Sequence, residues 1–148
     1  MSIATILIMC AAILAVTAAT VIAVKRQNSR VRDITTTPEE RALMQARSLG
    51  ERVSAASPAQ YRRSAQRYFK RLKTIMVVYF KERYDITVRD TIDAGTMSLL
   101  TQRFSAKREI LEKHRDLFTE MEQVKQAGLD QSAMHLLCEK SVALLETA

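Results

Sequence analysis

The sequence predicts an all-α protein, with one N-terminal transmembrane helix followed by a small cytoplasmic bundle of about four to five helices. Three observations lead to this prediction. No charged residue occurs before Lys25, and apolar residues recur every three to four positions over much of the chain after residue 37. The 148 residues include only three glycines and two prolines, which disfavours a turn-rich β fold. We expect an anchor at residues 1–24, a basic juxtamembrane linker at 25–36 and a helical domain at 37–148.

The segment 3–24, IATILIMCAAILAVTAATVIAV, is uncharged and long enough to cross a bilayer. As a helix it would be roughly 33 Å long, against a hydrocarbon core of about 30 Å. A cleaved signal peptide is the alternative, because A-x-A-like sites occur around residues 16–19. The lack of a positive n-region and the long apolar run favour an uncleaved anchor.

The flanks of this segment predict its orientation. Only two residues precede it, and four juxtamembrane cations follow it: Lys25, Arg26, Arg30 and Arg32. The positive-inside rule then leaves the N-terminus outside and the helical domain in the cytoplasm, with a bacterial inner membrane as the expected location. The same cations can contact anionic lipid head groups.

Small residues repeat along one face of the predicted anchor, at Ala11, Ala15, Ala19 and Ala23. This spacing allows close packing against another transmembrane helix. The sequence therefore predicts a possible homo-oligomer or a helix-helix contact within the membrane.

Two helix starts follow the same pattern. Thr37-Pro38-Glu39-Glu40 and Ser57-Pro58-Ala59-Gln60 each combine a hydroxyl cap, a first-turn proline and a Glu or Gln that completes a capping box. The first helix should bury Ala42, Ala46, Leu49 and Val53. The second carries a broad apolar stripe of Tyr61, Ala65, Tyr68, Phe69, Leu72, Ile75, Met76, Tyr79 and Phe80.

Three shorter helices are expected after a turn or short extended piece at 85–88. A third helix would start at Asp90 or Thr91 and carry Ile92, Leu99 and Leu100. Ser105 would cap a fourth, with Ile110, Leu111, Leu117, Phe118, Met121 and Val124 on one side and Gly128 at its end. Asp130 would cap the last, with Met134, Leu137, Cys138, Ser141, Leu144 and Leu145 in register. We expect the last two helices to form an antiparallel hairpin on the second.

The charge is concentrated in the first half of the chain. Residues 1–73 hold 13 basic and 4 acidic residues, whereas residues 74–148 hold 10 basic and 12 acidic. Within SPAQYRRSAQRYFKRLK (57–73), a helical wheel separates the aromatics from a basic face of Arg62, Arg63, Arg67, Lys70, Arg71 and Lys73. This face can be merely solvated, or it can contact anionic lipid or an acidic partner. Nucleic acid is disfavoured because the aromatics are not presented beside the cations.

No combination of residues predicts catalysis, a metal site or a cofactor. The two histidines, His114 and His135, have no metal-ligand spacing to each other or to a cysteine. His114 lies at the edge of an apolar helical face, so we expect a surface or half-buried structural histidine. Cys10 and Cys138 form neither a disulfide framework nor a CxxC pair. No GxSxG, HExxH or phosphate-binding glycine loop occurs. We therefore expect no enzyme.

Two stretches, YFKRLKTIMVVYFKERYDI and DLFTEMEQVKQAGLDQSAMHLLCEKSVALLE, resemble a known family. They are similar to the helical cytoplasmic tail of small single-pass membrane proteins associated with MoxR-type AAA+ ATPases and von Willebrand A-domain proteins. The resemblance covers residues 66–146. In the family, a tract resembling DLVKFA precedes the last helix; this chain has Met121-Glu122-Gln123-Val124-Lys125-Gln126-Ala127 there and lacks the phenylalanine. The resemblance implies binding of a protein partner beside a chaperone-like ATPase.

The sequence thus predicts a membrane-anchored, non-enzymatic scaffold or assembly protein whose helical domain docks a protein partner. The alternative is a peripheral regulator that contacts anionic lipid or nucleic acid through the basic face of residues 62–73.

Overall fold

Five α-helices and one 3₁₀ turn make up most of residues 36–148, the part of the chain that the computed structural model describes. The helices are α1 (Pro38–Ala55), α2 (Pro58–Tyr84), α3 (Ala94–Arg103), α4 (Arg108–Ala127) and α5 (Gln131–Thr147), with the 3₁₀ turn at Ser105–Lys107. No strand occurs among these residues, so the all-α class is confirmed for this part of the chain. The predicted transmembrane segment, 3–24, lies outside the described residues.

The capping residues of α1, α2 and α5 are those that the sequence predicts. Thr37 accepts a hydrogen bond from the Glu40 backbone at 3.2 Å, and the Glu40 carboxylate accepts one from the Thr37 backbone at 3.1 Å. Ser57 and Gln60 form the same reciprocal box at the start of α2. Asp130 caps α5 by accepting from the backbone amides that follow it. Each cap satisfies donors that the first helical turn would otherwise leave unpaired.

The end of α4 also follows the prediction. Gly128 ends the helix in the left-handed conformation, with φ of 108°, which costs little without a Cβ atom. The Leu129 amide donates to the Val124 carbonyl at 3.1 Å, and Leu129 is buried. This is the long hydrogen bond of a Schellman ending together with its apolar contact.

Two predicted helix starts were wrong. Helix α3 begins at Ala94 rather than after residue 90 or 91, because Asp93 supplies the cap by accepting from the Thr96 amide at 2.8 Å. In this helix Leu100 is buried and Leu99 is 64% exposed, contrary to the prediction for Leu99. Ser105 caps no helix: it opens the 3₁₀ turn, and α4 starts after it without a side-chain cap.

Helices α1, α2, α4 and α5 form an up-down-up-down bundle, and α3 lies in the connection between α2 and α4. Ion pairs join each neighbouring pair of helices: Glu39–Arg83 and Arg41–Glu82 (α1–α2), Lys73–Glu122 (α2–α4), Glu120–Lys140 (α4–α5) and Arg47–Glu146 (α5–α1). The turns that join α1 to α2 and α4 to α5 lie at one end of the bundle, where Gln131 donates to the Val53 and Ala56 carbonyls.

The final hairpin packs differently from the prediction, because α5 contacts α1 more extensively than α2. Small residues on α1, including Ala46 and Gly50, allow this close approach. A Cβ atom at Gly50 would lie 3.3 Å from the Cβ of Cys138. In contrast, α2 and α4 meet through large rings, such as Phe80 and Phe118 with centroids 6.0 Å apart.

The core consists largely of the predicted faces. All of the predicted positions of α1 and α5 are buried. Along α2 the predicted stripe is buried except Ala65 and Tyr68, which are half-buried and pack against the core. On α4, Ile110 and Val124 are likewise half-buried. Tyr84 extends the stripe of α2 by one more turn and is fully enclosed, which the sequence pattern did not indicate.

None of the helices within residues 36–148 is long and apolar enough to span a membrane.

Candidate partner-binding surface

Five of the cations predicted to form a basic face lie on the outer side of the first half of α2. Arg62, Arg63, Arg67, Lys70 and Arg71 are all exposed. They lie near the end of the bundle that carries the α1–α2 turn. Thr37, which caps α1, lies at the opposite end of that helix. We call these five residues the basic face.

The aromatic residues of segment 57–73 lie in the core or at its edge. The Tyr61 and Tyr68 rings are stacked, with centroids 5.9 Å apart. The Tyr61 hydroxyl donates to the Leu129 carbonyl at 2.8 Å, which ties the start of α2 to the α4–α5 turn. Burial raises the pKa of Tyr61 to about 12, so this hydroxyl stays protonated. The rings are therefore not presented as a stacking platform for nucleic-acid bases.

No residue of the basic face lies within ion-pairing distance of a carboxylate in the described part of the chain. Arg52, near the end of α1, is exposed and unpaired in the same way. Among residues 36–148, most carboxylates are engaged in ion pairs with Lys or Arg or in helix caps; the exceptions are Glu51, Asp85 and Glu139, which contacts His135 at 3.8 Å. The positive charge of this face therefore has no counterpart among the described residues.

Lys73 differs from the other predicted members of the basic face. Its ammonium group pairs with Asp90 and, at 2.9 Å, with Glu122, so it joins α2 to the following loop and to α4. Burial acts to lower the pKa of Lys73, but the hydrogen bonds to both carboxylates outweigh it and raise this pKa. The same bonds lower the pKa values of Asp90 and Glu122. Lys73 is thus half-buried and already neutralised.

A groove runs along the outer side of the α1–α2 hairpin, beside the basic face. It has a volume of about 150 Å³ and is lined by Met44, Gln45, Ser48, Leu49, Arg52 and Arg71. We call it the α1–α2 groove. Met44 is 55% exposed there and gives the groove an apolar wall. Sequence reasoning missed Met44 and Arg52, although the two capping boxes that define an α1–α2 hairpin could have suggested that these helices share a surface.

The two histidines differ in burial. His114 is fully buried, which corrects the expected surface or half-buried position. Its Nδ1–H donates to the Ile110 carbonyl at 2.7 Å, and its ring stacks on Tyr79 at 5.6 Å. Burial lowers the pKa of His114 to about 4. His135 lies at the surface beside Glu139.

Cys138 and two tyrosine hydroxyls are further reactive groups, and all three are buried. Cys138 is buried between α1 and α5, and burial raises its pKa to about 11, so it remains a thiol rather than a thiolate. Within residues 36–148, no group of three or more His, Cys, Asp and Glu side chains is arranged to hold a metal ion. The hydroxyls of Tyr79 and Tyr84 are buried, and burial raises the pKa of both.

The remaining predicted site residues lie outside the described part of the chain. These are the juxtamembrane cations Lys25, Arg26, Arg30 and Arg32 and the transmembrane packing face Ala11, Ala15, Ala19 and Ala23.

Comparison with known proteins found no matching family model, no similar curated protein and no similar solved structure.

Proposed function

We propose that this protein is a membrane-anchored, non-enzymatic scaffold whose cytoplasmic helical bundle docks a protein partner. The observation that carries the proposal is the basic face of α2, which is exposed and has no carboxylate partner among residues 36–148. Charged side chains of this kind give specificity and a fast encounter with a partner of opposite charge.

The distribution of charge supports a binding role over a purely solvated surface. Elsewhere on the bundle, most charged side chains pair with a neighbour, as Lys140 does with Glu120 and Lys113 with Glu109. A solvated helix face would be expected to mix both signs in this way. The basic face instead collects one sign, which raises the local potential and attracts an acidic surface.

The membrane anchor is part of the same proposal. Residues 3–24 would hold the protein in the bilayer, with the N-terminus outside and the bundle in the cytoplasm. The juxtamembrane cations would lie against the lipid head groups. Association of anchors through the alanine face would bring two or more bundles together.

Contact of the basic face with anionic lipid is the second candidate. Its support is the charge alone, at about 1 kcal/mol for each cation near a bilayer surface.

The family resemblance of residues 66–146 suggests one kind of partner. A MoxR-type AAA+ ATPase or a von Willebrand A-domain protein would be such a partner, and the bundle would then act as its attachment point at the membrane. We keep this as a hypothesis about the partner's class.

Chemical crosslinking in native membranes, followed by identification of the products, tests the proposed function. A scaffold gives a reproducible product with a different protein, and that product weakens as salt rises because exposed charges are screened. Products containing only this chain would contradict docking of another protein. Crosslinks to lipid alone would favour the second candidate.

A further inference from the structure

Apolar and positively charged side chains lie side by side on the outer side of the α1–α2 hairpin. The α1–α2 groove exposes the apolar side chain of Met44 between helices that also present Arg52 and Arg71. Val78, which is 47% exposed, lies seven residues after Arg71 and therefore on the same face of α2. The surface thus combines an apolar centre with unpaired cations beside it.

We propose that the α1–α2 groove and the basic face bind an acidic amphipathic helix of the partner protein. An apolar side chain of that helix packs against Met44 and Val78, and its carboxylates pair with Arg52, Arg67 and Arg71. This inference rests on the proposed scaffold function and names the element that the scaffold recognises.

The groove, with a volume of about 150 Å³, suits one or two side chains of a docked helix. From Met44 to Arg52 the groove follows α1 for about two turns, roughly 12 Å. A helix laid along it presents side chains at i, i+3, i+4 and i+7 over the same length. Its carboxylates, one turn apart, can then meet Arg67 and Arg71, which are themselves one turn apart on α2.

The charge pattern argues against a second copy of this chain as the occupant. Within residues 36–148, the carboxylates that could face the cations are nearly all held in ion pairs or caps, as Glu120 is by Lys140 and Asp130 by its own helix. A docked copy would offer few free carboxylates among these residues, such as Glu51 and Asp85, whereas an acidic helix from another protein offers a row of them.

Binding of designed peptides to the intact chain in lipid nanodiscs tests the inference. The probe is a fluorescent helical peptide with glutamates at i, i+4 and i+7 beside a row of leucines. The first control peptide has the same composition in an order that scatters both faces, and the second replaces glutamate by glutamine. Anionic vesicles and single-stranded DNA are tested in the same titration. Fluorescence anisotropy at low salt gives the dissociation constant of each peptide and of the labelled DNA, and co-flotation measures binding to vesicles.

We expect the acidic amphipathic peptide to bind at least tenfold more tightly than either control peptide. The double variant Arg67→Glu, Arg71→Glu should weaken that binding more than tenfold, and Met44→Gln, which removes the apolar contact without adding a charge, several-fold. Arg89→Glu is the matched control: it changes an exposed cation of the α2–α3 connection that has no carboxylate partner among residues 36–148, and it should leave binding within about twofold.

Three results would overturn the inference. The first is equal binding of the amphipathic and scattered peptides, or no binding of either. The second is an unchanged affinity in Met44→Gln, which would leave charge alone as the determinant. The third is tighter association with vesicles or DNA than with the acidic peptide, which would assign the surface to those ligands.

The crosslinking experiment separates failure of this inference from failure of the proposed function. If the crosslinked partner is retained in the double variant Arg67→Glu, Arg71→Glu, the scaffold function stands and this surface is the wrong one. If the unmodified chain gives no crosslinked partner, the scaffold function itself fails.

Discussion

His114 is a core side chain whose burial keeps its ring neutral. Its ring lies among Tyr79, Phe80 and Tyr84, and its Nδ1–H is satisfied within α4, but no carboxylate contacts it. The nearby charge of Lys107 further disfavours protonation. The neutral ring therefore serves as a core side chain. Sequence periodicity could place it only at the edge of the apolar face, because its burial depends on the aromatic residues of α2.

We predict that this histidine makes folding stability depend on pH. The unfolded chain binds a proton at His114 near pH 6.5, whereas the folded chain does so only near pH 4. Stability is therefore fully present above pH 6.5 and falls as the pH drops from 6.5 to 4, by about 3 kcal/mol for this difference in pKa. Chemical denaturation at several pH values measures it. The slope between pH 6.5 and 4 should flatten in His114→Phe and persist in His135→Gln; an unchanged slope in His114→Phe would refute the assignment.

Substitution of Lys73 should lower the free energy of unfolding, whereas substitution of Lys70, three residues away, should leave it nearly unchanged. Lys73→Met removes the cation that holds Glu122 and Asp90, so we expect a loss of about 1 kcal/mol in the free energy of unfolding. Lys70→Met changes an exposed, unpaired side chain and should stay within about 0.5 kcal/mol. Denaturant titration compares the two. Equal effects on stability would show that Lys73 belongs with the basic face after all.

At the scale of helices, the contact of α1 with α5 depends on Gly50. A larger side chain there meets Cys138, since even a Cβ atom would lie 3.3 Å from the Cys138 Cβ. We expect Gly50→Leu to cost about 1–3 kcal/mol through overpacking, despite the better helix propensity of leucine. Ser54→Leu, at an exposed position of the same helix, should be nearly neutral. Thermal unfolding measures both, and a Gly50→Leu variant as stable as the parent chain would contradict the close α1–α5 contact.

The helices that the sequence predicted best are those whose signals are local. Capping boxes define α1 and α2, and Asp130 defines α5, because a cap involves residues only two or three positions apart. The start of α3 was misplaced because several polar residues before it could serve as caps. The packing of α5 on α1 could not be predicted, since it depends on Gly50 and Cys138, which are far apart in the sequence.

At the scale of the whole molecule, the sequence predicted where the basic face lies. It could not predict which of these cations stay unpaired or which apolar side chain lies beside them. The helical spacing of Arg63, Arg67 and Lys70 indicates that they share the outer side of α2. Which cations remain unpaired depends on the fold: Lys73 is neutralised by carboxylates from a loop and from α4. The contribution of Met44 likewise emerges only when α1 and α2 are packed together.

The anchor leads to a prediction about the whole chain. A reporter enzyme that is active only outside the cytoplasm should be inactive when fused to the C-terminus, because the cations after the predicted span retain the bundle in the cytoplasm. A reporter that works only in the cytoplasm is the matched control and should be active in the same fusion. The opposite pair of activities would contradict the proposed orientation.

The most direct test of the central claim is site-specific photocrosslinking in native membranes. A photoreactive residue at position 63 lies on the basic face, and one at position 115 lies on the exposed side of α4. The proposed docking predicts a product with one other protein from position 63 and none from position 115. A product of equal yield from both positions, or from position 115 alone, would contradict docking through the basic face.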